Sequence, residues 1–126
     1  MKYLIDAFSW IEYLEGSSKG ERVSNILKSD NEIFVLPLTI GEVVSKTKRK
    51  DKNHELAYES ITKRAKIIST TPRMAKEAGL LHAEMRKKFS QFGIVDALLV
   101  ITARNIKARI LTGDNHLKQF AETEFL

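Results

Sequence analysis

Apolar and polar positions in this chain follow two rhythms: short unbroken apolar runs, and longer stretches with helical spacing. The densest apolar stretch is Gly93-Ile94-Val95-Asp96-Ala97-Leu98-Leu99-Val100-Ile101-Thr102-Ala103-Arg104. From Ile94 to Ile101 every residue but Asp96 is apolar. A helix that is apolar on nearly every side is a central, buried helix. Asp96 is followed at i+4 and i+7 by Val100 and Ala103, so its carboxylate sits at the end of an apolar face. Such a carboxylate needs water, a cation, or the N-terminal end of its own helix. The helix dipole favours an anion there by roughly 0.3–1 kcal/mol. Asp96 therefore either secures a helix start or holds a metal.

The remaining elements follow from the same patterns. Lys2-Tyr3-Leu4-Ile5 is too short for a helix and predicts a strand ending at Asp6. Phe8, Trp10, Ile11 and Leu14 continue at helical spacing to Gly16. Ser18-Lys19-Gly20-Glu21 has capping-box spacing and opens a helix with Val23, Ile26 and Leu27 on one face. Ile33-Phe34-Val35-Leu36 is a second strand, closed by Pro37, and Thr39-Ile40-Gly41-Glu42 reads as another capping box. The helix it opens carries Val43 and Val44, then Lys46, Lys48, Arg49 and Lys50. A further helix is expected over Asp51–Ala65, and a strand over Lys66–Ser69. Thr71-Pro72 starts a helix with Pro at its favoured first position, striped by Met74, Ala78, Leu81 and Met85 and ended by Arg86-Lys87-Lys88. After the central helix come a fourth strand over Ala108–Thr112, a short helix at Gly113–His116, and a fifth strand within Glu122–Leu126.

Strands alternating with helices imply right-handed crossovers and a mostly parallel sheet covered on both faces, an α/β fold. Such sheets place their sites outside the carboxyl ends of the strands. The 126 residues suffice for one domain with a real core, taken as 1–126, and no repeat, low-complexity segment or linker interrupts them.

Composition narrows the chemistry. The chain has no cysteine, which excludes disulfides and thiolate metal sites and suits a reducing cytoplasm, the expected location. No signal-peptide pattern opens it, and no run approaches the ~18 apolar residues of a membrane span. The net charge of +5 admits nucleic acid as a partner without establishing it.

Four carboxylates stand at element junctions. Asp6 ends the first strand, Glu42 starts the helix after the second, Asp96 starts the central helix, and Asp114 follows the fourth strand. Singly, each has a structural explanation as a helix cap or a dipole-matched acid. Together they lie at one edge of a parallel sheet, where they can converge. Clustered carboxylates raise one another's pKa values, and a divalent cation removes the repulsion. Oxygen ligands without Cys or a His pair favour Mg2+ or Mn2+ over zinc. That chemistry suits phosphodiester hydrolysis by one metal or by two ~3.5–4 Å apart. A phosphate substrate also accounts for a basic rim, with Lys46, Arg49 and Lys50 the leading candidates to bind it beside Lys48 and Lys52, and Arg86, Lys87 and Lys88 second. The competing explanation for both clusters is a solvated helix end.

The chain resembles the PIN-domain family over nearly its whole length. The likeness rests on Tyr3-Leu4-Ile5-Asp6-Ala7-Phe8-Ser9, Thr39-Ile40-Gly41-Glu42-Val43, Ile94-Val95-Asp96-Ala97-Leu98 and Leu111-Thr112-Gly113-Asp114-Asn115-His116-Leu117, in that order and spacing. It implies a Rossmann-like sheet of strand order 3-2-1-4-5 and a Mg2+- or Mn2+-dependent ribonuclease. It gives the metal-binding role to Asp6, Glu42, Asp96 and Asp114, with Ser9 and Thr112 orienting an acid by hydrogen bonding. A single-domain member of this size is most similar to VapC-type toxins of toxin–antitoxin pairs, which implies a homodimer and a small antitoxin whose tail enters the acidic cleft. Two departures stand out. Asn115 and His116 lie where the family often has a further acid, which weakens a second metal position, and the last strand is short.

His116 invites a general-base role, but an exposed turn residue is the stronger expectation. His54 and His82 read as structural or surface residues, and Trp10 as core or dimer interface. Other readings remain: an RNA-processing nuclease of the same family, or a non-catalytic module binding RNA or protein. A phosphoacceptor receiver domain would need an acceptor Asp after the third strand, where Ser69-Thr70-Thr71 stands.

Overall fold

Alternating side chains on the strands decide how the layers assemble. In the computed structural model, which describes residues 1–126, Tyr3 and Ile5 point to one face of the sheet and Leu4 to the other. Ile33 and Val35 oppose Phe34, and Leu111 opposes Ile110, in the same way. Strands buried on both faces need a helical layer on each side.

The elements in chain order are β1 (Lys2–Ile5), α1 (Ala7–Glu15), α2 (Ser18–Lys28), β2 (Glu32–Val35), α3 (Pro37–Arg49), α4 (His54–Arg64), β3 (Lys66–Ile67), α5 (Pro72–Arg86), α6 (Ile94–Ile106), β4 (Arg109–Thr112), a 3-10 turn (Asn115–Leu117) and β5 (Thr123–Phe125). The sheet runs β3-β2-β1-β4-β5 with every neighbouring pair parallel. The α/β fold and its 3-2-1-4-5 order are those expected. Ala97 to Ala103 of α6 are all buried, and α6 and α5 cover one face together with Phe92. The helices α1, α2, α3 and α4 cover the other face around Trp10, Val23, Val43 and Ile61. Trp10 is fully buried and belongs to that core. No helix is long and apolar enough to cross a membrane.

Several element starts differ from the sequence reading. Ser17, not Ser18, caps α2, its hydroxyl accepting from the Gly20 N–H at 3.0 Å. Ser17 is held at the end of α1 by its hydroxyl, which donates to the Glu12 carbonyl at 3.2 Å, and Gly20 lets α2 approach α1 there, since an added Cβ would lie 2.0 Å from the Glu12 carbonyl oxygen. The helix α3 starts at Pro37 without a side-chain cap, so Thr39–Glu42 lies inside its first two turns and is no capping box. Proline at the first helical position makes the earlier start favourable. The α4 helix begins at His54, capped by Asn53 through the Leu56 N–H at 3.0 Å, because Asp51 adopts φ 58° and breaks the chain direction. The third strand keeps only Lys66 and Ile67, and β5 pairs with β4 through Thr123–Phe125.

Candidate active site

The carboxyl end of β1 delivers Asp6 to the sheet edge, where it also caps α1. Its Oδ1 accepts from the Ser9 N–H at 2.9 Å, one of the free donors of the helix's first turn. Its Oδ2 accepts from the Thr112 hydroxyl at the end of β4. Asp6 is 5% exposed. Burial pushes its carboxyl up to about 6, against the pull of hydrogen bonds from Thr112 and Ser9 and with a further push from the Asp114 charge. The Ser9 hydroxyl donates to the Leu111 carbonyl at 2.8 Å, so Ser9 binds the acid by its backbone N–H and ties α1 to β4 by its side chain. The same hydroxyl stands beside the acid and helps to lower its pKa.

Asp114 lies one residue beyond Gly113 at the next strand end. Its backbone N–H donates to Thr112 Oγ1 at 2.9 Å, and its Oδ1 accepts from the His116 N–H at 2.8 Å. Asp96 sits in the first turn of α6, with Oδ2 accepting from the Gly93 N–H at 2.8 Å. Burial raises its pKa most, the Gly93 N–H lowers it, Asp114 raises it, and His116 and His82 lower it. Glu42, on the second turn of α3, is exposed, and its pKa is raised by partial desolvation and then by the charges of Asp6 and Asp96. The four acids thus share one electrostatic field at the carboxyl ends of β1, β2 and β4.

His116 is not a free turn residue. Its Nδ1 lies 3.4 Å from Asp114 Oδ1 and 3.8 Å from Asp96 Oδ2. Ligand atoms of Asp96, Asp114 and His116 all lie within 4.8 Å of one another. The signal in the sequence was local: Asp114 caps a turn, and a capping turn brings the residue two positions later back beside the cap. His82, on α5, lies close enough to lower the Asp96 pKa while its ring packs 6.4 Å from Phe92.

The basic candidates separate. Lys46 and Arg49 line a groove of about 530 Å³ together with Glu42, Ser45 and Phe8. Lys50 turns away to Glu15, Nζ to Oε2 2.8 Å, and its hydrogen bond, helped by its charge, lowers the Glu15 pKa. At the end of α5, Lys87 pairs with Glu84 at 3.1 Å.

The chemistry of this donor set fits a metal ion. Two carboxylates from separate elements, Asp96 and Asp114, converge with one imidazole. Desolvation first, and then neighbouring acid charges, raise the pKa values of Asp6, Glu42 and Asp96, the direction a cation reverses. A family model described as PIN domain matches residues 3–123. The chain belongs to the PIN-domain family. Comparison with curated proteins by sequence finds no match. Among solved structures, this PIN domain is similar to a toxin–antitoxin complex from Klebsiella pneumoniae at 16% identity and TM-score 0.77, covering 97% of this chain and 95% of that one. It is also similar to VapBC2 from Rickettsia felis bound to a DNA fragment from their promoter, at 20% identity and TM-score 0.76, covering 100% and 99%. A third is Mycobacterium tuberculosis VapC20, a sarcin–ricin loop cleaving toxin, at 15% identity and TM-score 0.72, covering 95% and 97%. At these identities the likeness is one of fold.

Proposed function

We propose that this PIN domain is a Mg2+- or Mn2+-dependent endoribonuclease and the toxin of a toxin–antitoxin pair. The observation that carries the proposal is the shared field of Asp6, Glu42, Asp96 and Asp114, in which the near-fully buried Asp6 has its carboxyl at about 6. Those four acids would hold the cation. The chemistry supplied there by a bound divalent ion is Lewis-acid activation of water and stabilisation of the leaving oxygen.

The chain's own part is to hold and to orient. Ser9 and Thr112 each hold one oxygen of Asp6, which leaves the remaining lone pairs aimed by the fold. Thr112 also fixes the Asp114 backbone, so two acids share one positioning hydroxyl. Gly93 orients Asp96 through Oδ2. One carboxylate takes the proton of the attacking water. Lys46 and Arg49, beside Glu42, draw the RNA backbone to the acids. Single-stranded loops suit such a groove, since their backbone can bend into it.

The toxin reading is supported by the toxin–antitoxin complexes among the structural neighbours and by a fold that spans both chains almost end to end. It entails a small antitoxin whose tail enters the acidic cleft, encoded directly upstream. It also entails a homodimer, for which exposed Leu56 and Tyr58 on α4 and Leu80 on α5 offer apolar contact. The test is metal-titrated cleavage of a structured-RNA pool with Asp6→Asn run in parallel. Cleavage that needs Mg2+ or Mn2+ and is lost in the variant is expected. Cleavage that persists in the variant, or none by either protein at any metal concentration, overturns the nuclease reading.

A further inference from the structure

Phe8 is an exposed aromatic residue on the first turn of α1, two positions after Asp6. A single exposed apolar side chain needs no special explanation. Phe8 differs in how its place is made. An added Cβ at Gly113 would lie 2.2 Å from the Phe8 ring. Gly113 has no positive φ, so what its missing side chain provides there is room for the ring. The Phe8 ring therefore packs against the turn that leads into Asp114, on the helix that Asp6 caps. Lys19 Nζ lies 5.3 Å from the ring centroid, and Phe8 shares its groove with Glu42, Lys46 and Arg49.

An exposed ring flanked by cations, beside an acid cluster suited to phosphate chemistry, is the arrangement that receives a nucleobase together with its backbone. We infer that Phe8 is a base platform: a nucleobase neighbouring the phosphate over the acids stacks on its ring, while Lys19, Lys46 and Arg49 face the adjoining phosphates. The inference rests on the reading of the site as one that acts on RNA. Stacking on a phenyl ring tolerates any base, so Phe8 contributes affinity and register rather than sequence choice. It also selects single strands, because a base inside a duplex has no free face.

The test is binding of a ~12-nucleotide single-stranded RNA, a length within the range of known single-strand sites, and of an abasic strand of the same length. Wild type, Phe8→Ala, Phe8→Leu and Phe8→Trp are compared with Ca2+ replacing Mg2+ and strand integrity followed on gels. Phe8→Leu keeps apolar volume against Gly113 and so separates stacking from folding. About tenfold or greater loss is expected for Phe8→Ala and Phe8→Leu on the base-bearing strand, with Phe8→Trp at least equal to wild type and all four proteins alike on the abasic strand. Equal loss on both strands would make Phe8 a structural residue and overturn the inference. Unchanged binding to both strands, with or without loss of a protein partner, would also overturn it. The nuclease reading fails separately: strand discrimination through Phe8 without any cleavage in Mg2+ or Mn2+ leaves the platform standing and removes the enzyme.

Discussion

The hydroxyl of Thr112 donates to Asp6 Oδ2 across the ends of two neighbouring strands. Thr112 Oγ1 itself accepts from the Asp114 N–H at 2.9 Å. Both residues of the pair are buried, Thr112 at 0% exposed and Asp6 at 5%. One hydroxyl therefore orients a deeply buried acid and the loop that carries a second one.

Thr112→Val keeps the shape and removes both bonds. A buried carboxylate oxygen and a backbone N–H lose their partner, which costs roughly 1–3 kcal/mol for each group left unsatisfied. Thermal or urea unfolding of the metal-free protein should show that loss. Thr112→Ser restores the hydroxyl and should recover most of it. RNA cleavage should fall in Thr112→Val and return in Thr112→Ser. Equal stability of Val and Ser variants would mean the hydroxyl bears no weight.

The raised acids make the metal-free protein less stable as pH rises. Asp6 in the folded protein has its carboxyl at about 6, above the ordinary value of 3.8. Between those values the folded state holds the proton and the unfolded state has released it. Stability therefore falls as pH rises through the window, and the penalty is complete above about 6. The shift corresponds to roughly 3 kcal/mol. Glu42 and Asp96 are raised too and act in the same direction. Metal-free protein should melt lower at about pH 7 than at about pH 5, and Mg2+ or Mn2+ should raise the melting temperature more at the higher pH. A metal effect independent of pH would count against the cation sitting among these acids.

The sequence carried the fold through features with a single local cause: alternating apolar strands, Pro72 after its Thr71 cap, and the nearly all-apolar α6. It carried the candidate acids because Asp6, Asp96 and Asp114 each interrupt an apolar pattern at a junction. What it did not carry depends on contacts between elements. The start of α2 depends on Ser17 being held to the Glu12 carbonyl of α1 while it caps Gly20. The Ser9 hydroxyl could bond forwards, backwards or across, and only the position of β4 sends it to Leu111. The place of His116 depends on the Asp114 cap bending the chain back toward α6. Lys46, Arg49 and Lys50 read alike as a basic helix end, and Glu15 on α1 sorts them.

That sorting has a measurable result in RNA binding. Lys46→Ala with Arg49→Ala should reduce the dependence of log K on log salt by about 1.4 for single-stranded RNA, the value for two lost phosphate contacts. Lys50→Ala should leave the slope almost unchanged, because its ammonium is already paired with Glu15 at 2.8 Å. Fluorescence anisotropy across a salt series compares the variants. A slope lowered by Lys50→Ala as much as by the double substitution would place the RNA along the Glu15 side of α3.

Asp96→Asn separates structure from chemistry at the central helix. The side-chain amide oxygen can still accept the Gly93 N–H, so the start of α6 keeps its cap. The substitution removes a charge that Asp114 repels and that raises the Glu42 pKa. The metal-free variant should therefore be at least as stable as wild type near neutral pH, and the Glu42 carboxyl should titrate lower. Cleavage should be lost, and the melting shift on adding Mn2+ should shrink, since Asp96 is shared by the acid cluster and the His116 group. Unfolding measurements, carboxyl titration by NMR and the cleavage assay follow the three effects independently. A variant that unfolds would show that Asp96 serves the helix start above all, whereas a folded, inactive and metal-insensitive one would assign it to the site.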